Sequence, residues 1–294
     1  MNARDQKLAP GMRRSTLGMI GTYAALTVAA ALTLFPFVLA LLTAFTSKRE
    51  FARQGVGVPT EPTFENFIAL GNTRVDFTAA FWTTVAVVLV VAAGQLLFSI
   101  MAAYAFARMR FPGRDLLFWV LLATLMVPQV VTVIPLYFMF ARWDRLNLPF
   151  DQIALQGTFT GLVLPFVFAS PYAVFLLREQ FRQIPQELVD AMRIDGAGMW
   201  RILFGLIVPL SRPTLVTLLL ITVVSHWNNF MWPLMIGQNR IHVLTTAAAS
   251  LQGQYENNTT LVMAASTVAM LPLIVMFVLF QRQIVRSIRI TSFR

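Results

Sequence analysis

The run FTAAFWTTVAVVLVVAAGQLLFSIMAAYAFA occupies residues 77–107 and contains no Asp, Glu, Lys or Arg. An α-helix needs about 20 predominantly apolar residues to cross the roughly 30 Å hydrocarbon core of a bilayer. The run is longer than that, so it predicts a transmembrane helix. Five further charge-free runs pass the same test, at residues 17–46, 116–141, 152–177, 213–239 and 257–281. The sequence therefore predicts an all-α integral membrane protein with six transmembrane helices.

The overall composition supports a membrane location. Apolar residues make up 57% of the chain and charged residues 12%, with a mean hydropathy of +0.68. A soluble domain of 294 residues could not bury that much apolar surface. The net charge of +10 would suit nucleic acid, but the 23 Lys and Arg residues fall between the apolar runs rather than on one basic face. We expect membrane lipid, and no nucleic acid, around this protein.

The residue types present exclude several kinds of chemistry. The chain has no Cys, which excludes disulfides, thiolate catalysis and Cys-based metal sites, and His226 and His242 are too few for a histidine cluster. The lysines, Lys7 and Lys48, lie outside any phosphate-binding loop motif. We therefore predict no catalytic residue, no metal and no cofactor in this chain. Any ATP-driven work must come from a partner protein.

The distribution of Lys and Arg predicts the orientation. Connections that face the cytoplasm carry an excess of these residues. Sixteen lie in the N-terminus, the 108–114 and 178–212 segments and the C-terminus, against seven in the alternate connections, so both termini are predicted to be cytoplasmic. The resulting divisions are a cytoplasmic N-terminus (1–16), a first transmembrane helix (17–46), an extracytoplasmic loop (47–76), a five-helix core (77–281) containing a cytoplasmic segment (182–209), and a cytoplasmic tail (282–294).

The longest cytoplasmic connection contains the sequence IPQELVDAMRIDGA at residues 184–197. Pro185 suits the first position of a short helix, and Glu187 suits the positive end of its dipole. Gly196 suits a left-handed turn that ends this helix. A second helical piece is predicted at 199–207. One face of the first helix is shaped to dock into a groove, because three apolar residues recur there at i, i+3 and i+4, namely Leu188, Ala191 and Met192.

This segment resembles the EAA loop of ABC-importer permeases. The family pattern is Glu-Ala-Ala, three residues, Gly, nine residues, Ile, one residue and Leu-Pro. The corresponding positions here are Asp190, Ala191, Met192, Gly196, Leu206, Val208 and Pro209. Ala191, Gly196 and Pro209 match outright, and the other four are conservative departures. The surrounding sequence is especially similar to carbohydrate-class permeases of the maltose and glycerol-3-phosphate importer type.

The resemblance implies a binding-protein-dependent ABC permease of the type I importer fold, with a cytoplasmic coupling helix. Such a permease would carry a sugar or a related polyol or glycerol-phosphate solute across a bacterial inner membrane. The implied partners are a second homologous permease subunit, two copies of a cytosolic ATPase that bind ATP and Mg, and an extracytoplasmic solute-binding protein. The residues implied to couple this chain to the ATPase are Glu187, Asp190, Ala191, Met192, Arg193, Asp195, Gly196, Ala197 and Pro209.

Polar residues inside the predicted spans are candidates for a solute pathway. Amides in hydrocarbon cost free energy unless they are paired or face water. Gln95 and Gln129 suit hydrogen bonds between helices, and Gln129 is also a pathway candidate. Asn228 and Asn229 lie beside Trp227, and amides next to an aromatic face suit the recognition of sugar hydroxyls. Kinked helices around a cavity are predicted by three prolines within the spans, Pro128, Pro135 and Pro171.

Two alternatives belong to other classes of membrane protein. A secondary transporter driven by an ion gradient would be expected to carry charged residues within its spans and an inverted repeat, and the sequence has neither. A membrane-embedded enzyme would need paired carboxylates, a metal-ligand cluster or an activated nucleophile, which these spans lack. Co-purification with an ATPase would separate the permease from both alternatives.

Overall fold

The computed structural model describes residues 16–142, 155–254 and 258–290, and within these residues all regular elements are helical. Three helices are long and apolar enough to cross a bilayer without a break: α1 (Thr16–Ala44), α4 (Phe77–Arg108) and α15 (Thr259–Ile290). Asp76 caps α4, because its carboxylate accepts a hydrogen bond from the backbone N–H of Ala79 at 2.9 Å. These helices confirm three of the six predicted spans.

A sharp bend interrupts the third predicted span. Helix α5 (Arg114–Ala123) continues into a 3-10 turn (Thr124–Met126) and then meets α6 (Gln129–Ala141) at 101°. Pro128 disfavours a helical backbone at the residue before it, and Val127 is indeed extended, with φ −86° and ψ 116°. The kink predicted at Pro128 is therefore confirmed, whereas Pro135 lies inside α6.

A second bend connects the fifth predicted span to the segment before it. Helix α12 (Arg212–Trp227) meets the helical stretch Met199–Leu210 at 81°. The run 213–239 is not one helix, because α12 ends at Trp227 and a separate short helix, α13, follows. The elements around this bend are α10 (Met199–Ile202), a π-helical turn (Leu203–Ile207), α11 (Val208–Leu210) and α13 (Met231–Ile236).

The fourth predicted span is not a continuous helix in the described residues, which begin there at Leu155. Only α7 (Phe159–Val163) and α8 (Pro171–Arg182) are helical. Gly157 adopts a φ of +66°, and Pro165 lacks the N–H that a helix interior requires. Pro171 starts α8 rather than kinking it. Among the residues described, between three and five of the six predicted spans are found.

The irregular backbone between α7 and α8 packs directly against α4. A Cβ atom at Gly94 of α4 would lie 2.7 Å from the carbonyl oxygen of Val167, so only glycine fits at this contact. The indole N–H of Trp232 donates to the carbonyl of Gly161 at 3.0 Å. Non-helical backbone is tolerated at membrane depth where it packs against protein or lines a cavity, and this segment does both, through Val167 against α4 and Phe166 at the cavity described below.

A buried, hydrogen-bonded amide stabilises one end of the helix bundle, and an apolar cluster stabilises the other. At the start of α4, a buried amide joins three elements: Asn66 on α3 (Glu65–Leu70) donates to the carbonyls of Ala44 and Thr46 at 2.8 Å and accepts from the Thr260 hydroxyl at 2.9 Å. Two other short helices lie in this half, α2 (Lys48–Gln54) and α14 (Leu244–Gln254). At the other end of α4, an apolar cluster that includes the fully buried Phe181 joins α4, α8 and residues 184–207.

Candidate functional site

A cavity of about 450 Å³ lies beside the bend at Pro128. Its walls come from α4, α6, α12 and the segments around 166–173 and 228–232. Amide and hydroxyl groups alternate with apolar side chains along these walls. In the part of the chain that the structure describes, the residues lining it include no Asp, Glu, Lys or Arg. The polar residues at the cavity are Gln95, Gln129, Thr132, Ser170, Tyr172, Thr222, Ser225, His226, Asn228 and Asn229.

Gln95 fixes the position of three cavity walls. Its Nε2 donates to the carbonyl of Phe166 at 3.3 Å, and its Oε1 accepts from the Thr222 hydroxyl at 2.9 Å. Since Gln95 is on α4 and Thr222 is on α12, the predicted hydrogen bonding between helices is confirmed for this residue. The amide thereby satisfies its own polar atoms and sets the spacing of the two helices.

One face of helix α12 lines the cavity with both apolar and hydroxyl side chains. Leu218, Thr222 and Ser225 lie at i, i+4 and i+7, which places them on the same side of the helix. These residues were not among the predicted pathway residues. Their spacing was the signal that could have identified them, because hydroxyl residues recurred on one helical face that led to the two asparagines.

Three of the four residues predicted for the solute pathway lie at this cavity, namely Gln129, Asn228 and Asn229. Asn228 donates from its Nδ2 to the carbonyl of Val224 at 2.9 Å, which extends α12 by a side-chain cap. The carbonyl of Asn229 accepts from the hydroxyl of Thr245 at 2.8 Å.

Trp227, the fourth of these residues, does not line this cavity. It is only 6% exposed, and its indole N–H donates to the carbonyl of Ala269 on α15 at 2.9 Å. The physical reason is the helical rotation of about 100° per residue, which turns Trp227 toward the bundle core while its neighbours face the cavity. Trp232 supplies the tryptophan that borders the cavity instead, packed edge-on against Phe140 at 5.2 Å between ring centroids.

The second candidate element is the short helix α9 (Gln186–Ile194). Pro185 precedes this helix as its N-cap, which corrects the predicted start by one residue. The C-terminal end of α9 forms the predicted left-handed turn, with Gly196 at φ +75°. The N–H of Gly196 donates to the carbonyl of Arg193 at 3.0 Å, and the N–H of Ala197 donates to the carbonyl of Met192 at 2.9 Å. This pair of bonds is a Schellman motif, for which glycine is the favoured residue.

Helix α9 buries one side and exposes the other. Val189 is only 1% exposed and packs in the cluster around Phe181. Of the three residues predicted to form an apolar docking face, Met192 is half-buried against the same cluster, whereas Leu188 and Ala191 are exposed. The outward apolar surface is extended by Ile194, which is 87% exposed.

Arg108, the last residue of α4, ties α9 to the long helices. One Nη donates to the side-chain oxygen of Gln186 at 2.7 Å, and the other donates to the carbonyls of Phe181 and Ile184 at the end of α8. A guanidinium group is suited to this role because its donors are held in a rigid fork. The end of α4, the end of α8 and the start of α9 therefore form one connected unit.

The hydrogen bonds continue from Gln186 along α9. Its Nε2 donates to Oδ1 of Asp190 at 2.9 Å, and the same carboxylate oxygen lies 3.4 Å from a guanidinium nitrogen of Arg193. Glu187 and Asp195 are exposed on the same helix and its C-cap. Toward α12, Pro209 lies in α11, directly before the bend at Ser211.

In the residues described, no group of three or more His, Cys, Asp or Glu residues is placed to hold a metal ion. Broken spans around an uncharged polar cavity, with a short amphipathic helix joined to the ends of two long helices, are the parts of a solute permease. The chain belongs to the family of binding-protein-dependent transport system inner membrane components, whose profile matches residues 95–290. It is a membrane transport subunit of the ABC type rather than an enzyme, as the resemblance predicted.

Curated relatives support the same family. The chain is 33% identical to the lactose transport system permease protein LacG of Rhizobium radiobacter, over 93% of this chain and 96% of the relative. It is 31% identical to the arabinooligosaccharides transport system permease protein AraQ of Halalkalibacterium halodurans, over 87% and 89%. It is 35% identical to the sn-glycerol-3-phosphate transport system permease protein UgpE of Pectobacterium atrosepticum, over 74% and 75%.

Solved structures show the same fold at lower identity. The crystal structure of a bacterial ABC transporter involved in the import of the acidic polysaccharide alginate contains a similar chain, with a TM-score of 0.77 and 20% identity over 94% of this chain and 99% of that one. The alginate ABC transporter in complex with a periplasmic protein bound to an alginate pentasaccharide gives a TM-score of 0.65 at 15% identity, over 96% and 99%.

Proposed function

We propose that this chain is the transmembrane permease subunit of an ATP-driven importer that moves a sugar or related polyol into the cytoplasm. Coupling to a separate ATPase occurs through α9 and the turn that follows it. The observation that carries this proposal is the set of hydrogen bonds from Arg108 to Gln186, Phe181 and Ile184. A force applied to α9 reaches the ends of α4 and α8 through those bonds, and both helices border the cavity farther along, at Gln95 and Tyr172.

The outer side of α9 is the surface that the ATPase grips. Leu188 and Ile194 are 44% and 87% exposed, which leaves apolar surface available for a groove on another protein. Asp190 and Arg193 supply charges at the rim of that contact, and Glu187 lies in the first turn beside them. The Schellman turn at Gly196 fixes the direction in which the chain leaves α9 toward α10.

The chain crosses the membrane six times in this proposal, with both termini and α9 in the cytoplasm. The fourth crossing uses α7, the irregular segment and α8 rather than a single helix. The excess of Arg and Lys in the segments on the side of α9 supports the orientation. Most of residues 1–16, and the end of the tail at residues 291–294, lie outside the described residues.

The transporter contains further subunits in this proposal. A second, homologous permease completes the cavity, two copies of a cytosolic ATPase bind ATP and Mg, and an extracytoplasmic protein delivers the solute across a bacterial inner membrane. The family description, which names binding-protein-dependent transport, supports the delivery protein. Closure of the ATPase pair moves α9 and switches the cavity between inward-facing and outward-facing states.

The cavity favours a neutral, hydroxyl-rich solute. Its amides and hydroxyls can donate and accept hydrogen bonds, and Phe166 and Trp232 border it with apolar surface. Relatives carry names that include lactose, arabinooligosaccharides and glycerol 3-phosphate. Because no charged side chain lines this half of the cavity in the described residues, we favour a sugar or polyol over a phosphorylated solute.

Reconstitution of the assembled transporter in liposomes tests this function. Uptake of radiolabelled mono- and disaccharides should require this chain, the partner permease, the ATPase, the binding protein and ATP together. Omitting ATP or the ATPase should abolish uptake. Uptake by this chain alone, driven by a proton or sodium gradient, would contradict the proposal and favour a secondary transporter.

A further inference from the structure

Three arginines line a second cavity, which plays no part in the transport function proposed above. The cavity has a volume of about 400 Å³ and lies between the start of α5 and the end of α8. Arg114 contributes from α5, and Arg178 and Arg182 contribute from α8. The other lining residues are Asp115, Phe118 and Trp119.

Arg178 is held in place but is incompletely neutralised. Its side chain is only 11% exposed, and its guanidinium carbon lies 3.9 Å from the ring centroid of Phe118. One Nη donates to Oε1 of Glu179 at 2.7 Å, while its Nε is buried without a hydrogen-bond partner. A guanidinium removed from water in this way is stabilised by a further anion.

The charges around the cavity leave a positive excess. Asp115 is paired with Arg114, with 3.0 Å between Oδ1 and Nε. Glu179 is shared, because its Oε1 lies 2.7 Å from Arg178 and 3.8 Å from Arg182. Three guanidinium groups therefore face two carboxylates, and one positive charge remains without a counterpart within this cluster.

The cavity lies at the boundary between charged and apolar surface. Helix α5 passes from Arg114 and Asp115 directly to Leu116, which is 69% exposed. Trp119 and Val120 follow at 67% and 56% exposed. Exposed tryptophan is typical of the membrane interface, where headgroups meet acyl chains. The arginines are therefore at headgroup depth, and the apolar surface beside them is at acyl-chain depth.

We propose that this cavity binds the phosphate group of an anionic phospholipid, whose acyl chains lie along the exposed side of α5. The guanidinium groups of Arg114, Arg178 and Arg182 hold the phosphate by charge-assisted hydrogen bonds. In the orientation proposed above, the lipid belongs to the cytoplasmic leaflet, where anionic lipids attract basic side chains. The site requires a membrane location but not the coupling role of α9.

Native mass spectrometry of the assembled transporter tests the site. Delipidated transporter is titrated with dioleoylphosphatidylglycerol, with dioleoylphosphatidylcholine or with inorganic phosphate. The test variant is Arg114→Gln combined with Arg182→Gln, since both side chains are at least partly exposed and can be changed without emptying the core. The control is Arg201→Gln, because Arg201 is exposed in the same half of the protein and does not line the cavity.

We expect selective binding of phosphatidylglycerol over phosphatidylcholine, weakened by about 25-fold in the double variant, at about five-fold per arginine. The control variant should bind like the wild type, and all three proteins should assemble equally. Equal binding of both lipids would overturn the proposal, as would a double variant that binds like the control. Tight binding of inorganic phosphate that displaces the lipid would show that the site serves free phosphate instead. Because lipid binding is read without ATP, failure here is distinct from failure of transport coupling.

Discussion

Replacing Gly196 tests whether the turn after α9 transmits force from the ATPase. Gly196 has a φ of +75°, and two backbone hydrogen bonds, of 3.0 and 2.9 Å, depend on that conformation. A Cβ atom built at this position meets no atom of the chain within 4 Å. Any effect of Gly196→Ala within this chain therefore comes from the backbone and not from a steric clash.

The expected magnitude follows from the cost of a left-handed backbone. A non-glycine residue in this conformation costs about 1–2 kcal/mol, and asparagine tolerates it better than other residues. A cost of that size changes the ratio of closed to opened turn by about 5- to 30-fold. Gly196→Ala should therefore loosen the turn, Gly196→Val should loosen it further, and Gly196→Asn should remain close to wild type.

The assay is the number of solute molecules transported per ATP hydrolysed in proteoliposomes that contain the complete transporter. We expect this ratio to fall several-fold in Gly196→Ala while ATP hydrolysis continues. Gly198→Ala is the matched control, because Gly198 has an ordinary φ of −73° and equally open surroundings. A wild-type ratio in Gly196→Ala and Gly196→Val would show that this turn does not transmit force from the ATPase.

Three other predictions concern the attachment of α9, the cavity and the packing of α4. Arg108→Gln should weaken the attachment of α9 to α4 and α8 by about 2–3 kcal/mol, since hydrogen bonds from a charged donor are lost at a partly exposed site. The variant should assemble but transport fewer solute molecules per ATP hydrolysed. Asn229→Ala should raise the KM for sugar uptake several-fold, whereas Trp227→Phe should leave the KM unchanged and lower the melting temperature, because its lost indole hydrogen bond lies in the core. Gly94→Ala should destabilise the transporter by about 1–3 kcal/mol in thermal unfolding, because its Cβ clashes with the backbone of Val167. Gly21→Ala is the control and should have no effect, since a Cβ atom there meets nothing within 4 Å, and equal melting temperatures for the two variants would contradict the packing described for α4.

The spans that form continuous helices as predicted are those whose apolar runs carry at most one interior proline and no left-handed glycine. Residues 77–107 form one helix because no proline or left-handed glycine interrupts them, and α4 ends one residue beyond the predicted boundary. The run 152–177 has the same apolar character but contains Gly157, Pro165 and Pro171, which prevent a continuous helix. Hydropathy alone does not distinguish these two runs, because it reflects the free energy of transferring side chains from water to the bilayer and takes no account of backbone geometry.

At the candidate site, features set by neighbouring residues could be predicted from the sequence, whereas features set by tertiary packing could not. The left-handed turn at Gly196 depends on neighbouring residues and could be predicted. The sequence placed Trp227 with its neighbours, but the packing of α12 against α15 turned it into the core. The role of Arg108 could not be predicted either, because its partners lie more than 70 residues away in the chain.

Cross-linking at α9 tests whether this helix lies in the cytoplasm and contacts the ATPase. The chain has no cysteine, so Leu188→Cys introduces a single thiol at a position that is 44% exposed. In inverted membrane vesicles that contain the whole transporter, a short bifunctional reagent should join this thiol to the ATPase subunit, and a membrane-impermeant maleimide should fail to label it in intact cells. Labelling from outside the cell, or the absence of any cross-link to the ATPase, would show that α9 is not the cytoplasmic contact with the ATPase.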